Sequence, residues 1–264
     1  MNRMRTALLL VAAAALLTGC QDQLRDAVPT VGVVPIEGVE TAAQGLPPAI
    51  DVQNHRGSVT IIVDPAAPGP SVSALPHVSG PVDATIRWTA AALQEDNGRP
   101  VLRVLSSPEE TGAPDAPVNI TITVPECGGV RVRNDGGPVT LRNVAGAIEV
   151  HTGLGANDGR AIDIETMEPL TDPILLRAER GSVHLLMGRG SAGNLNATTQ
   201  RGLVQFDGGR AKVGNVKLSK SEWSGTINAG ASDQRIDVER GDVFVRVGLE
   251  DPLTLPGARW LARD

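Results

Sequence analysis

Alternation is the first repeated signal along the chain. Val118, Ile120, Ile122 and Val124 are separated by Asn119, Thr121 and Thr123. This period of two is the mark of a strand with one buried face. Ala84-Thr85-Ile86-Arg87-Trp88 and Val101-Leu102-Arg103-Val104 predict two more strands. Gln94-Glu95-Asp96-Asn97-Gly98 lies between them and supplies a hairpin turn, since Asn-Gly tolerates positive φ. Thr89–Gln94 reads as a short turn. No sustained helical period follows the first twenty residues.

A second pattern overlies the first: a glycine, a small or polar residue, then apolar, polar, apolar. It reads Gly57-Ser-Val59-Thr-Ile61, Gly137-Pro-Val139-Thr-Leu141, Gly146-Ala-Ile148-Glu-Val150 and Gly181-Ser-Val183-His-Leu185. It returns at Gly193-Asn-Leu195-Asn-Ala197, Gly202-Leu-Val204-Gln-Phe206, Gly225-Thr-Ile227-Asn-Ala229 and Gly241-Asp-Val243-Phe-Val245. The glycine permits a corner, the two apolar residues point inward and the residue between them points out. One such strand cannot bury its own apolar edge, but stacked copies can. The gaps between copies vary, so no fixed repeat length is set.

An antiparallel sandwich also has short strands and turn signals. Over 128–248, however, many strands are very short and the outward positions are almost all polar. They are Thr140, Glu149, Asp163, His184, Asn196, Gln205, Asn228, Asp237 and Arg246. The fold expected is therefore mainly β, a single-domain β-solenoid of β-helix type over 128–248. Segment 49–127, with longer strands, forms a more sheet-like N-terminal portion capping the stack. Phe244 breaks the polar rule. Either the C-terminal tail or cap, 249–264, with Leu253, Leu255 and Trp260, covers it, or the register fails there.

Three stretches together resemble a known family. They are Val124-Pro125 leading to Val130-Arg-Val132-Arg-Asn134, then Gly137-Pro-Val-Thr-Leu-Arg-Asn-Val144, then Gly146-Ala-Ile-Glu-Val150. Their rhythm resembles the bacterial putative-adhesin family of unknown function. The resemblance spans roughly residues 50–248 and implies a β-solenoid, often exported or membrane-linked, with no catalytic residues to carry over.

The N-terminus reads as an address. Arg3 and Arg5 precede an apolar run from Ala7 to Leu17, and no acid appears before Asp22. That is a secretory signal, and the run is too short to span a bilayer as a helix. Leu17-Thr18-Gly19-Cys20 resembles a bacterial lipobox, which implies cleavage between Gly19 and Cys20 and acylation of Cys20 (palmitate among the chains). Residues 1–19 are then a signal peptide, and 20–48, with Pro29, Pro35, Pro47 and Pro48, a flexible tether. Several acyl chains anchor firmly where one binds marginally. Gln21 after the cysteine resembles an outer-membrane sorting signal, so the location expected is the cell envelope, on the outer membrane where the source has one.

Composition narrows the function. The 264 residues carry a net charge of −6, and aromatics are 2 % with no tyrosine. The negative charge argues against a polyanion partner such as nucleic acid, and the lack of aromatic rings argues against a stacking surface for nucleic acid or sugar. No cofactor or metal is expected. Gly188-Arg-Gly190-Ser-Ala-Gly193 matches a dinucleotide fingerprint, but a strand and not a helix is predicted after it. Arg240-Gly241-Asp242 matches the integrin tripeptide, yet it falls at a corner of the repeat, as Arg180-Gly181 and Arg201-Gly202 do. His55, His77, His151 and His184 have no zinc spacing and read as surface histidines. Gly153–Gly159 offers oxygen ligands once only and reads as a solvated loop, not a calcium site. Cys127 reads as a structural thiol in a turn. The function expected is a non-enzymatic interaction module of adhesin type, bound to a membrane by its lipid and to an envelope protein or glycan. The alternatives are a divergent β-helix enzyme acting on glycans through Glu149, Asp163 or Asp237, and a purely structural envelope protein.

Overall fold

A computed structural model of the chain describes residues 32–35, 47–76, 86–94, 100–108, 117–154 and 159–249. Gly19, Cys20, His77, residues 155–158 and residues 250–264 lie outside the described residues. In chain order the strands are β1 (Gly32–Pro35), β2 (Ala49–Asn54), β3 (Val59–Val63), β4 (Ser71–Pro76), β5 (Ile86–Gln94), β6 (Pro100–Pro108) and β7 (Val118–Val124). Next come β8 (Gly129–Gly136), β9 (Val139–Arg142), β10 (Ala147–Leu154), β11 (Arg160–Glu165), β12 (Ile174–Arg180) and β13 (Ser182–Gly188). The last are β14 (Gly193–Arg201), β15 (Val204–Asp207), β16 (Val213–Leu218), β17 (Glu222–Ile227), β18 (Asp233–Arg240) and β19 (Val243–Leu249). The described residues contain no helix.

These strands make two open, mixed sheets. One has nine strands in the order β1-β4-β7-β3-β9-β11-β13-β19-β15. The other has ten, in the order β16-β17-β14-β18-β12-β10-β8-β2-β6-β5. The inner strands pair in parallel, and antiparallel strands sit at the ends: β1 and β4, β5, and β17 with β16. From β6 to β15 the chain alternates between the sheets, one strand in the ten-stranded sheet and the next in the nine-stranded one. Each such pair is a two-strand unit, and the units stack in the order β6/β7, β2/β3, β8/β9, β10/β11, β12/β13, β18/β19, β14/β15. At each end two units are exchanged relative to chain order. Strands β4 and β5, and then β16 and β17, are the chain inserted between the exchanged units. That is why the repeats in the sequence are unevenly spaced.

The inward positions follow the alternation. Val59 and Ile61, Val139 and Leu141, Ile148 and Val150, Val183 and Leu185, and Val243 and Val245 are all buried in one continuous core. Each contributes about 1.5–3 kcal/mol relative to exposure. At the last unit Phe206 of β15 stacks on Trp223 of β17, with ring centroids 3.8 Å apart, and closes that end of the core. Phe244 does face outward, between the buried Val243 and Val245. It meets His184 of β13 at 5.7 Å between ring centroids, so the register holds there.

Two local expectations are corrected. Thr89–Gln94 is not a turn: β5 runs through it, paired antiparallel with β6 from Ile86↔Pro108 to Gln94↔Pro100. Strand pairing overrides the weak β preference of Ala90-Ala91-Ala92. Gly225 is not a corner: it lies inside β17, paired with Leu195 of β14. Its role is space, because a Cβ there would fall 2.8 Å from the Trp223 ring.

The corners after β2 and β8 are held by buried amides. Asn134 Nδ2 donates to the carbonyls of Gly57 and Gly137, both at 2.9 Å. Asn54 Nδ2 donates to Val118 O at 3.2 Å and to Asn134 Oδ1 at 3.2 Å. Thr152 of β10 continues the ladder, its hydroxyl donating to Gly137 O at 3.0 Å. The asparagine-then-glycine rhythm of the sequence is therefore a corner device and not a ligand set.

Candidate functional site

Both sheets turn one face to the core and one to solvent, so the outward residues fall in rows across strands. On the ten-stranded sheet one row runs Arg133 (β8), His151 (β10), Arg177 (β12), Asp237 (β18) and Thr198 (β14). The row one step earlier runs Asp51 (β2), Arg131 (β8), Glu149 (β10), Leu175 (β12), Arg235 (β18) and Asn196 (β14). Over the first row lies an open basin of about 1110 Å³, lined by Arg133, His151, Arg177, Asp237 and Thr198 among others. A second basin of about 560 Å³ lies over the earlier row and shares Arg177 and Arg235 with it. The two form one trough across the middle of the sheet.

Its side chains are tied into a network. Asp237 Oδ2 lies 2.8 Å from Arg235 Nε and 3.7 Å from Arg177 Nε. The Thr198 hydroxyl donates to Asp237 Oδ1 at 3.2 Å. Arg131 Nε donates to Glu149 Oε2 at 3.1 Å. His151 stands between the Arg133 and Arg177 strand positions. Burial lowers its pKa, Arg177 and Arg133 lower it further, and Glu149 opposes them. The imidazole is therefore neutral near pH 7, and its 3.6 Å approach to Glu149 is a close contact and not an ion pair. Its Nε2 is buried without a hydrogen-bond partner. Among the described residues Arg133 makes no ion pair either. The trough thus offers the Arg133 guanidinium, without a carboxylate partner among the described residues, beside fixed carboxylates and the Thr198 hydroxyl, a set that suits recognition of hydroxyl and carboxylate groups.

The acids singled out in the sequence do not converge. Glu149 and Asp237 lie on the trough, two strands apart, each engaged by arginine. Asp163 belongs to β11 of the other sheet, on the opposite outer face, with Arg142 Nη2 at 2.7 Å and Arg160 Nη1 at 3.2 Å. Burial opposes its ionisation, but the hydrogen bond and charge of Arg142, with Arg160, outweigh that and hold its pKa below the ordinary carboxylate value. His184 sits on the same face, its pKa lowered by burial and Arg160 against the pull of Asp163 and Asp242. His55 meets Asp135 at 3.1 Å. Cys127 is buried, its thiol donating to Gly129 O at 3.2 Å. Gly188–Gly193 leads into strand β14. In Arg240-Gly241-Asp242 the carboxylate Oδ1 accepts the Leu203 N–H at 2.8 Å, so the tripeptide is built into a corner and is not a free loop. Sequence reasoning missed Arg133, Arg177 and Arg235. Their signal was present, since each alternates with buried aliphatics, but only the register shows that they share a face.

The class defined by these observations is a mainly-β protein of two mixed, open sheets with a polar trough on one outer face. In fold it is similar to the crystal structure of a putative cell adhesion protein from Clostridium sporogenes ATCC 15579, with a TM-score of 0.51 and 10 % identity over 83 % of this chain and 100 % of that one. A putative adhesin from Bacteroides fragilis NCTC 9343 aligns with a TM-score of 0.30 and 11 % identity over 76 % of this chain and 92 % of that one. No family model and no curated protein matches the sequence. At such low identity the likeness speaks for the fold alone.

Proposed function

We propose that the chain is a non-enzymatic, lipid-anchored interaction module of the cell envelope, adhesin-like in role. Its trough binds an extended polar ligand, an envelope protein or a glycan. In this reading the two sheets are the sides of a flattened β-solenoid whose end coils are reordered, and Cys20 carries the lipid that holds it on the outer membrane. One observation carries the ligand claim: the continuous polar trough, with Arg133 in no ion pair among the described residues. Extended sheet faces of stacked repeats serve as binding surfaces. In this reading the role in the description of the Clostridium sporogenes protein, a putative cell adhesion protein of similar fold, is extended to this chain.

The test places a photo-crosslinking residue at Arg133 or Thr198 on the trough, and at Thr121 on the other sheet, in intact cells. The expected result is higher-mass adducts from the trough positions alone. Equal adducts from Thr121, or none from the trough, would overturn the ligand claim. In parallel, Cys20→Ala is expected to abolish palmitate incorporation and release the protein from the membrane fraction. Retention of both would sink the anchor.

A further inference from the structure

Three arginines stand in a column at one corner, beside the trough and unused by it. Arg180 ends β12, Arg240 ends β18 and Arg201 ends β14. Arg180 is in register with Arg240, and Arg240 with Arg201. Neighbouring strands lie about 4.8 Å apart, so three guanidinium-bearing positions follow one another at that spacing. The corner is rigid. The Gly181 N–H donates to Arg240 O at 2.8 Å, the Gly241 N–H to Arg201 O at 2.9 Å, and the Val183 N–H to Asp242 O at 2.9 Å.

The column is uncompensated. Arg131, Arg142, Arg177, Arg235 and Arg246, on the strand faces, each meet a carboxylate. Among the described residues Arg180, Arg201 and Arg240 meet none. Asp242, the carboxylate at the corner, spends Oδ1 on the Leu203 N–H. Like charges placed directly opposite across strands destabilise a sheet. An open cavity of about 420 Å³ lies here, lined by Arg180, Gly181, Ser182, Arg240, Gly241 and Asp242. Ser182 Oγ accepts the Asp242 N–H at 3.3 Å, which leaves its hydroxyl proton to donate.

We propose that this arginine corner binds the oxyanion groups of an acidic glycan. Successive sulfate, phosphate or carboxylate groups along the polymer would each meet a guanidinium fork, whose planar donors match an oxyanion in pairs. The same column would attract a nucleic acid backbone. No aromatic ring lines the cavity to stack a base or a sugar, and this favours a glycan held through its charged groups alone. The site is independent of the trough, so either can fail without the other.

The test uses the detergent-solubilised full chain and heparin as the sulfated-glycan probe, read by titration calorimetry at low and at physiological salt, with oligothymidylate as control. The expected result is salt-sensitive heparin binding, weakened at least tenfold in Arg180→Ala/Arg201→Ala/Arg240→Ala and retained in Arg133→Ala. The triple variant is expected to melt no lower than the parent, because removing like charges relieves repulsion. Should it fail to fold, Arg201→Gln at the exposed strand end is expected to weaken binding about threefold. No heparin binding by the parent, unchanged binding by the variants, or equal affinity for oligothymidylate would each overturn the proposal.

Discussion

Asn134 Nδ2 serves two corners at once, with donors to Gly57 O and Gly137 O at 2.9 Å and its side chain 1 % exposed. Removing it takes one donor from each carbonyl, leaving Gly137 O the Thr152 hydroxyl and Gly57 O only Asn54 Nδ2 at 3.4 Å, and each lost hydrogen bond costs about 0.5–1.5 kcal/mol. Asn134→Ala is therefore expected to destabilise the fold by roughly 1–3 kcal/mol, a fall in Tm of about 2–10 °C by calorimetry. A shift under about 1 °C would mean that water replaces the amide freely. An asparagine followed by glycine is visible in the sequence. What the amide holds is not, because its partners lie up to 80 positions away in the chain.

Among the elements, the corner glycines carry the stacking. Gly137 has φ +122°, and a Cβ there would fall 2.2 Å from Gly57 O. Gly241 has φ +143°, with Gly181 O at 2.3 Å from the same atom. At both places a side chain meets backbone that cannot move without shifting the next unit. Gly214, in β16, has nothing within 4 Å. Gly137→Ala is expected to cost about 3 kcal/mol or more, whereas Gly214→Ala stays within about 0.5 kcal/mol. Chemical denaturation of the pair checks this, and equal effects would mean that the corner relaxes. The same pattern that identified Gly137 and Gly241 misread Gly225. A glycine demanded by a corner and one demanded by the Trp223 ring look alike along the chain.

For the whole molecule, the outer faces set the response to acid. His151 on one face and His184 on the other both titrate below the ordinary histidine value, burial leading in each case, then Arg177 and Arg160 respectively. The unfolded chain takes up protons first, so stability falls as pH drops through the ordinary histidine range. Asp163, held below the ordinary carboxylate value, contributes stability that is full above that value and is lost as pH falls from it toward the folded one. The Tm is expected to fall between about pH 7 and 5 and again at lower pH, and His151→Gln/His184→Gln to flatten only the upper step. A Tm that stays level across the upper range in the parent would refute the histidine contribution.

The sequence by itself determined which residues face inward, where most corners fall and that the described body is β throughout. Each of these depends on the next few residues: alternation sets the two faces of a strand, and glycine admits φ values that other residues resist. Tertiary structure alone decided the order of the units. The exchange of β2/β3 with β6/β7, and of β14/β15 with β18/β19, depends on which strand edges pair, with β4, β5, β16 and β17 taken up at the ends of the sheets. It also decided the trough and the arginine corner. Arg133, His151, Arg177 and Asp237 come from four strands, and Arg180, Arg201 and Arg240 from three, so only register across parallel strands brings them together. Register is fixed by core packing, where a slip of one residue would turn every aliphatic outward.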